Sequence, residues 1–210
     1  GAMTSPLVRE VDQARYQADL LRIVGERSPG SARWGEVQAL CAQRLESLGY
    51  TVERHRYATG ENVIGVRTGA RAPTEQVIVS AHYDGVPGCP AADDNASGVA
   101  GLLETARVLA LGAHDRTLVV ACWDEEERGL IGSAAYATRA RARGDDIKAA
   151  YVYEMIGYRS TAPGSQTLPA GLDVLYPDQA QRIRDNGDRG DFIAVIADTG
   201  TEAAAAHIER

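Results

Sequence analysis

Three acidic clusters and one histidine hold most of the chemistry this chain could do. The stretch HYDGVPGCPAADDNASG, residues 82–98, puts His82, Asp84, Asp93 and Asp94 into one polar connection. Asp124-Glu125-Glu126-Glu127 follows, and then Glu154. Mixed carboxylate and imidazole donors suit a hard or borderline dication. His82 and Asp84 are alternate residues, which share a side of an extended chain. Asp84 can therefore accept from the ring nitrogen turned away from a metal and fix the tautomer of His82. Taken singly, each signal is ordinary. A histidine at a strand end is more often structural, an acidic run is more often a solvated face, and DDNASG starts a helix with Asn95 or Ser97 as its cap. Their order and placement give them weight.

Those residues need elements to carry them. Residues 7–24 and 33–48 read as amphipathic helices; in the second, Val37, Leu40, Cys41 and Leu45 recur at helical spacing and Gly49 ends it. TVERHRY (51–57) and NVIGVRT (62–68) read as a hairpin. EQVIVSA (75–81) and TLVVACW (117–123) are short apolar runs of the kind found in strands buried on both faces. A third core strand is expected at 147–157 and a fourth at 191–197. Helices are expected from Ser97 to Leu111, over 132–142, and from Thr201 onward, with 158–190 irregular around Pro163, Pro169 and Pro177. This alternation predicts an α/β fold, a three-layer αβα sandwich with a mixed, mostly parallel central sheet. Sites in such sheets lie beyond the carboxyl ends of the strands. His82, Asp124 and Glu154 each follow a core strand there.

Bulk properties narrow the function classes. The chain has 210 residues, 44% hydrophobic and 24% charged, with a formal net charge of -7. That composition fits a globular domain, and the acidic balance argues against a nucleic-acid partner. No apolar run approaches a membrane span, and the compartment is left open between cytoplasmic and secreted. The leading Gly-Ala-Met reads as the remnant of an expression tag, leaving residues 4–210 as a single domain. Cys41, Cys89 and Cys122 are too few and too scattered for a disulfide framework.

The segments SAHYDGVPGCPAADDNASGVAGLLETARVLA, WDEEERGLIGSAAYA and YVYEMIGY, in this order, resemble the zinc-dependent aminopeptidases of peptidase clan MH. That group also includes glutamate carboxypeptidase, glutaminyl cyclase and the transferrin receptor ectodomain. The resemblance implies a zinc-exopeptidase fold and hydrolysis of amino-terminal residues from peptides. It implies that His82 and Glu154 ligate one zinc, that Asp94 bridges, that Glu127 ligates a second zinc, and that Glu126 is the general base. It further implies a cis peptide after Asp94, with Asp93 outside the ligand set.

The family's last ligand, a histidine in a Tyr-His-Thr segment, has no counterpart here. His207 is read as a helix-surface or packing residue, and His55 and His114 receive no role. The chain is therefore expected to lack the C-terminal third of the domain and to hold one zinc or none. Self-association through exposed core surface is a further expectation.

Overall fold

In the computed structural model the described residues are 6–198, 200, 201, 205 and 206. They divide into two compact units, one reaching Gly157 and the other starting at Tyr158. The larger unit contains β1 (Thr51–Arg56), β2 (Glu61–Arg67), β3 (Ala72–His82), β4 (Arg116–Trp123) and β5 (Asp146–Val152) in one sheet of order β1-β2-β4-β3-β5. β1 and β2 form the expected hairpin, β2 runs antiparallel to β4, and β4, β3 and β5 are parallel. The sheet is mixed and mostly parallel. From β3 the chain moves to β4 on one side and then to β5 on the other. The carboxyl end of β3, where His82 sits, is thus the point at which the connections diverge.

Alternation along β4 divides the core. Leu118, Val120 and Cys122 join the cluster under α1 (Gln13–Ile23), α2 (Ala32–Ser47) and α3 (Gly98–Leu109). Val119, Ala121 and Trp123 face the other way, against Tyr136 and Ala140 of α4 (Ile131–Arg143). Successive strand residues point to opposite faces, so a strand covered by helices on both sides must be apolar throughout.

The single helix expected over 7–24 is two pieces, a 3-10 turn at Pro6–Glu10 and then α1. Asp12 makes the break by accepting from the amides of Ala14 (2.9 Å) and Arg15 (3.2 Å), as an N-cap does. Its own amide donates to Glu104 Oε1 at 2.7 Å, and Arg107 grips both Glu104 oxygens at 2.7 and 2.9 Å. Burial pushes the Glu104 carboxyl up, but Arg107 and the Asp12 amide outweigh it and hold it below its ordinary value of 4.5. A carboxyl lowered on folding stabilises above its unfolded pKa and loses that contribution as pH falls through the folded one. Glu104→Gln is expected to cost about 1.5–3 kcal/mol at pH 7. The gap from wild type should close progressively below pH 4.5, measured by urea unfolding. An equal gap at pH 3 and pH 7 would sink this account.

β5 stops at Val152 rather than running on to residue 157. The second unit differs more from expectation. Its residues 158–190 are not wholly irregular, since α5 (Leu172–Leu175) and α6 (Pro177–Asp185) lie there. DFIAVIA (191–197) forms no strand, and Ile193 and Ile196 are largely exposed. A β-branched run becomes a strand only where a neighbouring edge takes its hydrogen bonds, and among the described residues none pairs with it. Most of the helix expected after Thr201 lies outside the described residues, His207 included. Among the described residues no helix is long and apolar enough to cross a membrane.

Candidate metal centre

His82, the last residue of β3, is 2% exposed. Its Nδ1 lies 3.2 Å from Oδ1 of the fully buried Asp84, the arrangement expected from their spacing. Asp84 does more than its spacing suggested. Its Oδ1 also accepts from the Glu126 amide at 3.0 Å, and its Oδ2 from the Glu127 amide at 3.1 Å. One carboxylate thus orients the histidine and fastens the turn after β4, tying two acidic segments together.

The DDNAS segment sorts its residues by alternation. Asp93 Oδ1 accepts from the Gly157 amide at 2.8 Å, Asn95 Oδ1 from Met155 at 3.2 Å, and Ser97 Oγ from Ile156 at 3.0 Å. These side chains take three consecutive amides just past β5, where its partner β3 has ended and Met155 has left the extended conformation with a φ of 49°. Asn95 Nδ2 reaches Glu154 Oε2 at 3.2 Å, and Asn95 Oδ1 caps α3 through the Gly98 amide at 3.0 Å. Asn95, not Ser97, provides the cap. Asp94 lies between these anchored residues, and the Asp94–Asn95 peptide is cis.

Asp94 Oδ1 comes to 3.1 Å from His82 Nε2, Glu154 Oε2 to 3.3 Å and Glu126 Oε2 to 3.9 Å. Donor atoms of His82, Asp94 and Glu127 all lie within 4.8 Å of one another. Despite this crowding, the buried atoms His82 Nε2, Asp94 Oδ1 and Glu127 Oε1 make no well-aligned hydrogen bond. Buried polar atoms are almost always satisfied, so three without an aligned hydrogen bond and converging on one point fit a cation between them. The rim is open, because the Asp94, Glu126 and Glu154 side chains are 45%, 34% and 46% exposed above the buried His82 and Asp84.

The electrostatics agree. Burial alone would lower the His82 imidazole, but Asp84 and Glu154 overcome it and push it up to about 10. Burial raises Asp94, Glu126 and Glu127, and neighbouring carboxylates add to the rise against the pull of His82. So many carboxylates at one site favour a bound positive charge.

The other acids of the 124–127 run have structural work. Asp124 accepts from Trp34 Nε1 at 2.8 Å and from the Glu61 amide at 3.2 Å. Glu125, 1% exposed, is held by Thr59 and Arg128. Gly132 must be glycine, since a Cβ there would lie 2.3 Å from the Asp124 carbonyl and 2.4 Å from Asn62 Oδ1. Sequence reasoning missed Arg27, which is 0% exposed. It lies in GERSPGS, a polar connection where an arginine reads as solvated. Asn95 as the partner of Glu154 was missed too, because nothing local in the sequence pairs them.

The α/β sheet that carries this carboxylate-histidine cluster is a fold shared with solved exopeptidase structures. The model of Peptidase family M28 matches residues 62–191, and the chain belongs to that family. It is 47% identical over 150 residues to the probable lipoprotein aminopeptidase LpqL of Mycobacterium tuberculosis, covering 68% of this chain and 29% of LpqL. The LapA aminopeptidase of Legionella pneumophila has a similar fold, with a TM-score of 0.65 at 19% identity over 75% of this chain and 47% of LapA. So does a Zn-dependent exopeptidase of Parabacteroides distasonis, with a TM-score of 0.61 at 20% identity over 90% of this chain and 78% of that one. The chain spans less than half the length of the curated relatives it matches first.

Proposed function

We propose that this chain carries the metal centre of a zinc-dependent aminopeptidase that hydrolyses amino-terminal residues from peptides. The observation that carries the reading is the convergence of three buried donor atoms that make no well-aligned hydrogen bond, His82 Nε2, Asp94 Oδ1 and Glu127 Oε1. Family membership and the aminopeptidase LpqL support the reaction class. The Zn-dependent exopeptidase of Parabacteroides distasonis supports the metal.

His82, Asp94, Glu127 and Glu154 are the residues that would hold zinc; donor atoms of the first three lie within 4.8 Å of one another, and Glu154 Oε2 is 3.3 Å from His82 Nε2. Bound there, zinc would supply Lewis-acid polarisation of a peptide carbonyl and make a water acidic near neutral pH. His82 would give up its Nε2 proton on binding zinc, while Asp84, 3.2 Å from Nδ1, would hold the other proton there. Glu126 sits at the rim with Oε2 3.9 Å from His82 Nε2. There it takes the proton from the attacking water and returns it to the leaving amine. Its raised proton affinity suits both halves of that exchange.

Calorimetric zinc titration of the metal-free protein should give one tight site per chain, lost in His82→Ala. Hydrolysis of aminoacyl-p-nitroanilides should stop with chelator and return with zinc. Two tightly held zinc ions per chain would overturn the single-site reading. Hydrolysis indifferent to both chelator and His82→Ala would overturn the metallopeptidase reading.

A further inference from the structure

A fully buried cation stands close to Asp84 and Asp94, and among the described residues its hydrogen bonds go to backbone carbonyls rather than to a carboxylate. Arg27 follows α1 and is 0% exposed. Its Nε donates to the Tyr83 carbonyl at 2.9 Å and its Nη2 to the Ala91 carbonyl at 2.7 Å. Its Nη1 is shared among the carbonyls of Ile23, Gly25 and Pro90 at 3.2, 3.0 and 3.4 Å. The backbone of the same segment joins in, with the Gly85 amide donating to the Arg27 carbonyl at 3.1 Å and the Gly25 amide to the Pro90 carbonyl at 2.9 Å.

Burying a charge with only neutral acceptors is costly unless every donor is used. Here three nitrogens serve five carbonyls in two stretches of chain. Tyr83 stands between His82 and Asp84, and Ala91 stands three residues before Asp94. The guanidinium therefore clamps both ends of the loop that separates the two donors, and a flat fork of donors suits that task as an ammonium does not.

We propose that Arg27 is a positioning residue that holds the 83–91 loop in the form that brings Asp94 to His82, and so sets the cation affinity of the site. The proposal rests on the metal-centre reading, but the loop-holding half of it is measurable without metal. The sign of the effect separates positioning from electrostatics. Removing a buried positive charge near a cation site should by itself tighten cation binding, since like charges repel. Releasing the loop should weaken it.

The test uses Arg27→Met and Arg27→Lys, with Glu104→Gln as a variant destabilised elsewhere. Zinc affinity is measured by competition with a chromogenic chelator, and amide hydrogen exchange is followed along the metal-free chain. Arg27→Met is expected to lose about 10–100-fold in zinc affinity, the usual scale for residues that support ligands. Arg27→Lys should lose less. Exchange over residues 83–96 should quicken in both, while Glu104→Gln changes neither the affinity nor that loop. If Arg27→Met does not fold, Arg27→Lys, which keeps the charge, carries the comparison.

Unchanged or tighter zinc binding with unchanged loop exchange would overturn the proposal and leave the metal centre standing. Wild-type protein that binds no zinc would overturn the metal centre instead. Loop exchange would then decide the role of Arg27, with faster exchange supporting it and unaltered exchange refuting it.

Discussion

Glu126→Gln is expected to remove roughly 100- to 10,000-fold of turnover while leaving zinc affinity within a few-fold of wild type, the range that general acid–base groups contribute. The substitution keeps the size and the hydrogen-bonding reach of the side chain and removes its capacity to accept a proton. Of the three carboxylates within 4 Å of His82 Nε2, Glu126 is the farthest, at 3.9 Å against 3.1 Å for Asp94 and 3.3 Å for Glu154. It is absent from the trio of convergent donors. Its backbone amide is bound by Asp84, which does not depend on the side chain. Steady-state hydrolysis of an aminoacyl-p-nitroanilide, alongside zinc titration, separates the two properties. Wild-type turnover in the variant would remove Glu126 from the role of base. A parallel loss of zinc and turnover would make it a ligand instead.

Asp84→Asn should produce a broader failure. The buried carboxylate accepts from the His82 ring and from the Glu126 and Glu127 amides. An asparagine has a single acceptor oxygen and must turn its NH2 toward one of those donors. One buried N–H is then left unpaired, and the charge that keeps the His82 proton on Nδ1 is gone. The expected costs are about 1.5–3 kcal/mol of stability and about 10–100-fold in zinc affinity. Denaturant unfolding of the metal-free protein reads the first, and zinc titration the second. The two losses separate the roles of Asp84. A stability loss with normal zinc affinity would leave it as a fastener of the 126–127 turn alone, and wild-type values of both would remove it from the site.

Much of the sheet was legible because its signals are local. β4 reads as a continuous apolar run since both of its faces are covered, and Gly49 with a φ of 81° ends α2 where its position suggested. The elements that were misread share one cause, which is a distant partner. The 7–24 helix breaks because Asp12 caps α1, with its amide held by Glu104, 92 residues away. β5 stops where Met155 takes a positive φ, and side chains near residue 95 accept from the amides that follow. DFIAVIA has the composition of a strand, but strand formation also requires an edge.

The candidate site divides in the same way. By itself the sequence determined which residue types stand at the strand ends, and the period of two that sets Asp84 beside His82. It also determined the crowding of carboxylates that calls for a cation. Apart from the family resemblance, only the tertiary structure decided which acids turn inward. Asp93 is spent on Gly157 while its neighbour Asp94 reaches His82, and Glu125 is spent on Thr59 and Arg128 while Glu127 joins the centre. It also buried Arg27 beneath the loop. The physical reason is that side-chain direction in a turn follows backbone dihedrals, and these are held by hydrogen bonds to residues far away in the chain. A strand's alternation, by contrast, is written into each residue in turn.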